Sequence, residues 1–327
     1  MPAMPRRQFL KSAAGVTAAG VLGPASTNAA SVLAADKPPV SAIIDTHTHF
    51  YDPTRPQGVP WPGKDDRLLY RRVLPDDYKS FAKPLGVAGT IVVEASSWVE
   101  DNQWVLDLAT KDPFVIGLVG HLRPGGDDFA PNLKRFGAYK HFRGIRIGHA
   151  MLKERLDRRE FVRDLKSLVD HDLQLDVNGG PDLPADVARL AERLPELRIV
   201  INHCANVRID GQEPPATWKR GMQAAAKHAA VFCKVSALVE GTGRTNGKAP
   251  DDVAFYKPTL DVVWNAFGED RLIYGSNWPV SERFASYAVV QKIVADYFSG
   301  RGREASEKYF HRNASAAYKP VAPASRR

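Results

Sequence analysis

Eight short apolar segments recur along this chain, at intervals that leave room for a helix between most neighbours. Most are near-continuous runs of Val, Ile and Leu, which is typical of strands buried on both faces of a parallel sheet. Between most of them, apolar residues recur at three- and four-residue spacing, which indicates amphipathic helices. The eight segments are residues 42–46, 90–95, 115–119, 142–147, 173–177, 199–202, 231–235 and 271–275.

The alternation of strands and helices predicts the α/β class, built from right-handed βαβ units. Eight units in succession predict a single-domain (β/α)8 TIM barrel, whose site is built by the loops at the carboxyl ends of the strands. A doubly wound open sheet is the structural alternative. It is disfavoured because no glycine-rich phosphate-binding turn follows the first strand.

The N-terminus has a different character from the rest of the chain. Arg6 and Arg7 precede a weakly apolar stretch at residues 13–22, and small residues follow it. This order of basic, apolar and cleavable segments is typical of an export signal, and the paired arginines indicate the twin-arginine (Tat) route to the periplasm. The expected divisions of the chain are a Tat signal peptide at 1–35, a barrel hydrolase domain at 36–319 and a disordered tail at 320–327.

Charge and apolar length argue against two classes of partner. The formal net charge is +8, from 45 basic and 37 acidic residues, and the basic side chains are scattered among acidic ones. No basic run is long enough to form a nucleic-acid groove. The apolar stretch of the signal is too short for a stable membrane anchor. We therefore expect a small-molecule substrate and, as macromolecular partner, the Tat export machinery.

The sharpest local motif is Asp45-Thr46-His47-Thr48-His49, at the end of the first predicted strand. Residues two apart on a strand point to the same face, so His47 and His49 project together toward the barrel mouth. Two neutral imidazoles within reach of one point form half of a zinc or manganese site. A pair of histidines held by structural hydrogen bonds is the alternative, and the position at a strand's carboxyl end favours the functional interpretation.

A third histidine, His203, closes the sixth predicted strand. Its place at a strand end also predicts a side chain in the mouth of the barrel. There it could serve as a metal ligand, a general base or a donor to a developing oxyanion. A structural histidine bonded to a neighbouring loop is the alternative.

Five segments together resemble one family of enzymes. They are IDTHTHFYDP in the first strand, FRGIRIG in the fourth, IVINH in the sixth, VFCKVSAL in the seventh and DRLIYGSNWPV in the eighth. The pattern is similar to the amidohydrolase-related family, the amidohydrolase 2 type of TIM-barrel hydrolases, and especially to its branch of sugar-lactone and pyrone-dicarboxylate lactonases. The resemblance runs from Ile43 to about Tyr318. It is specific for the family and much less specific for the substrate.

The resemblance implies a hydrolase that adds water to the carbonyl of a small cyclic ester, such as a sugar-acid lactone. It places His47, His49 and His203 in the site, as the expected metal ligands. The family usually has a general-base aspartate just after the eighth strand, where this chain has Asn277. A neutral carboxamide does not take a proton from water near neutral pH. Asn277 could still coordinate a metal through its oxygen or orient the water, but the proton acceptor must lie elsewhere.

Three residues are candidates for that acceptor. Glu94 at the end of the second predicted strand and Asp176 in the fifth are carboxylates near the predicted mouth, and burial often raises the pKa of a glutamate into a useful range. His203 is the third candidate. The residues expected to bind substrate are Arg146, Asp176, Trp278, Tyr51 and Trp61, of which the last two lie on the long loop after the first strand.

The resemblance implies at most one divalent metal ion, zinc or manganese, and it is equally compatible with a metal-free mechanism. Two other functions remain open. One is a metal-dependent decarboxylase of the same family, which needs a metal to stabilise the electrons left by loss of carbon dioxide. The other is a non-catalytic barrel that binds a small acid, against which the retention of both His47 and His49 argues.

Overall fold

The computed structural model describes residues 40–323, so the predicted signal peptide and residues 324–327 lie outside the described part of the chain. Eight strands form one sheet in the order in which they occur along the sequence. The strands are β1 Ile43–Thr48, β2 Val87–Val93, β3 Val115–Gly120, β4 Phe142–Gly148, β5 Gln174–Asn178, β6 Ile199–Ile201, β7 Val231–Val235 and β8 Leu272–Tyr274.

All neighbouring strands are parallel, and the sheet closes between its first and last strands. Thr48 forms a parallel bridge with Trp278. The backbone N–H of Asn277 donates to the carbonyl of His47, and that of His49 to the carbonyl of Trp278, each at 2.9 Å. These contacts complete the predicted (β/α)8 TIM barrel.

Helices follow the strands and cover the outside of the barrel. Some helices begin at a polar cap. At the start of α10 (Tyr287–Ser299), for example, the Ser286 side chain accepts from the backbone N–H of Val289. This bond satisfies a backbone donor that has no partner within the helix. The helices are α1 Pro75–Ala82, α2 Asp101–Lys111, α3 Phe129–Gly137, α4 His149–Arg155, α5 Arg159–Asp170, α6 Leu183–Arg193, α7 Ala216–Ala226, α8 Leu238–Gly241, α9 Val253–Phe267, α10 Tyr287–Ser299, α11 Arg303–Glu307 and α12 Asn313–Tyr318.

An apolar cluster fills the barrel interior, with Ile44, Ile116 and Ile273 among its members. The last helix, α12, belongs to the same cluster through Ala314 and Tyr318. It lies against the beginnings of the strands, because Arg143 at the start of β4 donates to the carbonyl of Tyr318. The amino-terminal end is thereby covered, which leaves the carboxyl ends of the strands open for a site.

The structure bears on two predicted boundaries, the start of β2 and the start of the C-terminal tail. β2 begins at Val87, earlier than the apolar run that starts at Thr90, because Val87 already pairs with Ile43. At the other end of the chain, the backbone N–H of Val321 donates to the carbonyl of Ile116 at 3.0 Å. The described beginning of the predicted tail is thus bonded to the barrel, and the predicted disorder of residues 324–327 falls outside the described part.

Candidate active site

A buried aspartate on β1 fixes the direction of the residues that follow it. Asp45 is fully buried. Its Oδ1 accepts from the backbone N–H groups of His47 at 3.0 Å and Ser276 at 2.9 Å, and its Oδ2 accepts from the Tyr78 hydroxyl at 2.6 Å. Burial raises the pKa of Asp45, and these hydrogen bonds oppose that rise. Asp45 therefore ties β1 to the segment after β8, which contributes the other half of the mouth.

The three predicted histidines meet at this end of the barrel. The ring centroid of His47 lies 4.3 Å from that of His203 and 5.0 Å from that of His49. All three side chains are buried. Burial lowers the pKa of His49 to about 3, and it lowers the pKa of His47 and of His203 well below their usual value. The three imidazoles are therefore neutral near neutral pH.

His203 reaches this position through an uncommon backbone conformation. The φ angles of His203, Cys204 and Ala205 are +56°, +49° and +57°, a left-handed region in which side chains other than Gly, Asn and Asp are uncommon. Trp218 holds the turn by donating from its indole Nε1 to the carbonyl of Cys204 at 2.9 Å. The His203 ring is oriented by a 2.8 Å hydrogen bond between its Nδ1 and the hydroxyl of Ser236. Strained backbone of this kind often lies at functional sites.

Below His47 lies a fully buried ion pair. The Lys234 Nζ donates to Asp176 Oδ2 at 2.9 Å and to the Thr46 carbonyl at 2.9 Å, and it lies 3.2 Å from His47 Nδ1. Burial lowers the pKa of Lys234, and the neighbouring Asp176 carboxylate opposes this. Gly275 permits the close packing, since a Cβ there would lie 2.8 Å from that of His47.

The amine of Lys234 decides which ring nitrogen of His47 carries the hydrogen. A charged ammonium donates to Nδ1, so that the hydrogen sits on Nε2; a neutral amine accepts from Nδ1–H, so that Nε2 presents its lone pair. Within residues 40–323 the buried Nε2 of His47 has no hydrogen-bond partner. When Lys234 is charged, His47 Nε2 carries a hydrogen that it can donate into the site. When Lys234 is neutral, the lone pair of Nε2 can bind a metal ion.

Asn277 connects the histidines to a carboxylate. Its Nδ2 donates to Glu240 Oε1 at 2.9 Å, and its Oδ1 lies 3.3 Å from His49 Nε2. His49 Nδ1 lies 2.9 Å from the carbonyl of Val93. Since that carbonyl can only accept, Nδ1 carries the hydrogen and Nε2 presents a lone pair. Asn277 Oδ1 and His49 Nε2 are therefore two acceptors facing each other.

Glu240 lines the cavity and is a candidate functional residue that the sequence analysis did not single out. It lies on α8, the short helix after β7. Its Oε2 is shielded from solvent and has no hydrogen-bond partner within the described residues. Burial raises the pKa of Glu240 to about 7, and the hydrogen bond from Asn277 opposes the rise. The available signal was the first carboxylate after the seventh strand, in a long connection at the end of the barrel where enzymes of this fold often carry catalytic groups.

A cavity of about 440 Å³ opens at the carboxyl ends of the strands. This volume is in the range of small-molecule sites. Trp61 and Phe284 contribute aromatic surface to it. Its polar wall is formed by His49, Arg146, His203, Glu240 and Asn277.

Arg146 and Glu94 form a pair at the edge of this cavity. Glu94 Oε1 accepts from Arg146 Nε at 2.8 Å, and the Glu94 carbonyl accepts from Arg146 Nη2 at 2.7 Å. The carboxylate expected to act as a base is therefore already engaged by a guanidinium. Glu94 also lines a smaller adjacent cavity together with Tyr51 and Trp61.

Three residues expected to bind substrate do not line this cavity. Tyr51 lines the smaller adjacent cavity. Asp176 is fully buried and accepts from Lys234, from Asn202 Nδ2 at 2.9 Å and from the Tyr318 hydroxyl at 2.9 Å. It therefore lies in the packed layer below the mouth.

Trp278 is also buried. Its ring packs against Tyr78 and Phe81 of α1, and its indole Nε1 donates to Glu282 at 2.6 Å. A position near a strand end does not show how deeply a side chain is buried.

Comparison with known proteins extends these observations. The sequence signature described as amidohydrolase matches residues 44–319. An L-fucono-1,5-lactonase of Burkholderia ambifaria is 33% identical over 245 residues, which cover 73% of this chain and 80% of that protein. An L-fucono-1,5-lactonase of Burkholderia multivorans is 27% identical over 265 residues, which cover 79% of this chain and 89% of that protein.

A solved structure shares the fold. The crystal structure of an amidohydrolase from Burkholderia multivorans with bound zinc superposes with a TM-score of 0.75 at 25% identity, and the match covers 86% of this chain and all of that one. In contrast, no group of three or more His, Cys, Asp or Glu side chains in residues 40–323 of the present chain is arranged around a common point as a metal site.

The N-terminus also has a match. The signature of a Tat signal sequence covers residues 3–23, and such a signal directs export to the periplasm. No helix within residues 40–323 is long and apolar enough to cross a membrane. With the amidohydrolase signature covering nearly the whole barrel and a curated relative one-third identical over most of its length, this chain belongs to the amidohydrolase family.

Proposed function

We propose that this protein is a periplasmic hydrolase that opens the ring of a sugar-acid lactone by adding water to its ester carbonyl. The similarity to two L-fucono-1,5-lactonases supports the substrate class. The observation that carries the proposal is the cavity wall, where neutral imidazoles, a guanidinium, a carboxamide and a carboxyl group surround a space of about 440 Å³. Lactone hydrolysis needs such groups to bind hydroxyls, orient a water and stabilise an oxyanion.

Each part of the wall has a role in this proposal. Trp61 offers an aromatic face to a sugar ring, and Arg146, held by Glu94, is the cation that stabilises charge on the carbonyl oxygen. His203, oriented by Ser236, contacts the reacting ester. Asn277 holds the attacking water, which its amide can bind but cannot deprotonate.

The donor chemistry of the site also fits one divalent ion. His47 Nε2 is an orphaned buried atom, and the contact between His49 Nε2 and Asn277 Oδ1 brings together two acceptors that a cation would satisfy. We propose His47, His49 and His203 as the residues that would hold zinc or manganese. A bound ion would polarise the carbonyl and lower the pKa of a bound water.

The proposal is tested with purified protein, a panel of sugar-acid 1,5- and 1,4-lactones and a pH indicator. Acid release by the wild type, and its near-complete loss in His203→Ala, is the expected result. The assay is repeated after chelation and after addition of zinc or manganese, with bound metal measured by elemental analysis. If the protein releases carbon dioxide from aromatic acids, the decarboxylase alternative replaces the proposal. If it binds small acids without turnover, it is a binding protein.

We also propose that residues 1–35 are removed on export, which leaves a hydrolase domain that begins at residue 36. The signature at residues 3–23 supports this boundary. N-terminal sequencing of the exported protein tests it.

A further inference from the structure

We infer that Glu240, on the connection after β7, is the catalytic base that takes the proton from the attacking water, and that Asn277 is the positioning residue that holds its carboxylate. The inference rests on the proposed lactone hydrolysis and names the group that performs its proton transfer. It starts from a chemical gap: the residue just after β8 is an amide, which has no useful basicity.

The geometry of Glu240 suits the role. One carboxylate oxygen, Oε1, accepts from Asn277 Nδ2 at 2.9 Å, and this bond fixes the carboxylate plane. The other oxygen, Oε2, is sheltered from bulk solvent and has no protein partner within the described residues. Glu240 lines the same cavity as His49, His203 and Arg146. The Glu240 side chain lines a substrate-sized cavity and has one carboxylate oxygen without a protein partner, so the carboxylate keeps the capacity to accept a further hydrogen bond.

The other carboxylates near the mouth, Glu94, Asp176 and Asp45, are already engaged. Glu94 is bonded to Arg146. Asp176 accepts three hydrogen bonds below the mouth, and Asp45 accepts from two backbone N–H groups and a tyrosine. Burial lowers the pKa of His203 well below its usual value, which makes this imidazole a weak base. The pKa of Glu240 is raised to about 7 by burial, so its carboxylate is a stronger base than an ordinary glutamate.

The reaction balances with this assignment. The oxygen of a water bonds to the lactone carbonyl carbon while one of its protons passes to the Glu240 carboxylate, and the carbonyl π electrons move to the carbonyl oxygen, which faces Arg146. When the tetrahedral intermediate collapses, the bond between the carbonyl carbon and the ring oxygen breaks. The proton held by Glu240 passes to the leaving ring oxygen, which gives the open hydroxy acid and restores the carboxylate.

The test uses Glu240→Gln and Glu240→Ala, with Glu269→Gln as a matched control. Glu269 is paired with Lys308 beside the start of β8, at the opposite end of the barrel. On a lactone that the wild type hydrolyses, E240Q should lower kcat by roughly 10²–10⁴, the range of a lost general base, with little change in KM. E269Q should keep its kcat. Added formate should restore part of the activity of E240A and leave the wild type and E269Q unchanged, because a small carboxylate can occupy the vacated volume.

The outcomes separate the inference from the proposed function. Loss of kcat in E240Q with formate rescue of E240A supports the inference, and circular dichroism of both variants checks that they are folded. An E240Q enzyme with a kcat near that of the wild type overturns the inference alone. Absence of formate rescue in a folded E240A also overturns it, since a merely structural glutamate would behave in that way. A wild type inactive on every lactone overturns the proposed function and removes the basis of the inference with it.

Discussion

The barrel carries ionisable side chains in two layers that differ in how completely they are bonded. In the lower layer, Asp176 and Lys234 pair with each other, and polar neighbours occupy their remaining bonding positions. In the upper layer, Glu240 has one partner, Asn277, and one oxygen without any within the described residues. A buried group whose hydrogen bonds are complete rigidifies the fold, whereas an incomplete one keeps capacity for a ligand. The difference indicates which layer stabilises the barrel and which performs chemistry.

The largest effect is expected when the lower layer is broken. Asp176→Asn should reduce the free energy of unfolding by about 3–5 kcal/mol, because it leaves the ammonium of Lys234 buried without its counter-charge. Asp157→Asn is the control, since Asp157 is exposed and its ion pair with Arg193 contributes little. Urea unfolding of both variants at pH 7 measures the difference. If both variants lose the same free energy of unfolding, the lower layer is not a stabilising unit.

A smaller effect of opposite sign is expected in the upper layer. The pKa of Glu240 is raised from an ordinary 4.5 to about 7 in the folded protein. The folded state therefore binds this proton more tightly than the unfolded state, and the stabilisation it gives is complete below pH 4.5 and lost as the pH rises through 7. Above that pH the buried carboxylate costs at most about 3.5 kcal/mol, at about 1.4 kcal/mol per pKa unit.

Glu240→Gln removes that cost, so the variant should be more stable than the wild type at pH 8.5 and similar to it at pH 5. Urea unfolding at the two pH values measures the change. A variant that is less stable at pH 8.5 would place Glu240 with the structural carboxylates of the lower layer and would erase the contrast between the layers.

The smallest effect concerns pH dependence within the upper layer. The base must be ionised, so kcat/KM of the wild type should rise with pH through about 7. Asn277→Asp places a second carboxylate next to Glu240, and like charges raise the pKa of the pair. The acid limb should then move up by about one unit, worth about 1.4 kcal/mol, while activity above that limb is retained. If the acid limb of the kcat/KM profile of N277D lies at the same pH as that of the wild type, ionisation of Glu240 does not determine it.

The barrel and half of the site could be predicted from local pattern. Continuous apolar runs separated by amphipathic segments predicted the eight parallel strands, and the two-residue spacing of His47 and His49 predicted their common face. His203 was found by its place at a strand end. These signals are readable in the sequence because each depends on a period or a position within a single element.

How deeply each side chain is buried, and which hydrogen-bond partners it finds, were decided only by the tertiary structure. Asp176 lies in the middle of β5 and Trp278 follows β8, and neither side chain lines the cavity because both are buried in packed surroundings. Glu240 and Asn277 meet only because β7 and β8 are neighbours in the barrel and because α8 turns the chain back over the mouth. The same holds for Lys234, whose contact with His47 spans the barrel interior. The sequence by itself determined which elements form and which faces they present, since those follow from short-range periodicity. Which oxygen stayed without a partner depended on how distant elements pack, and no local pattern encodes that.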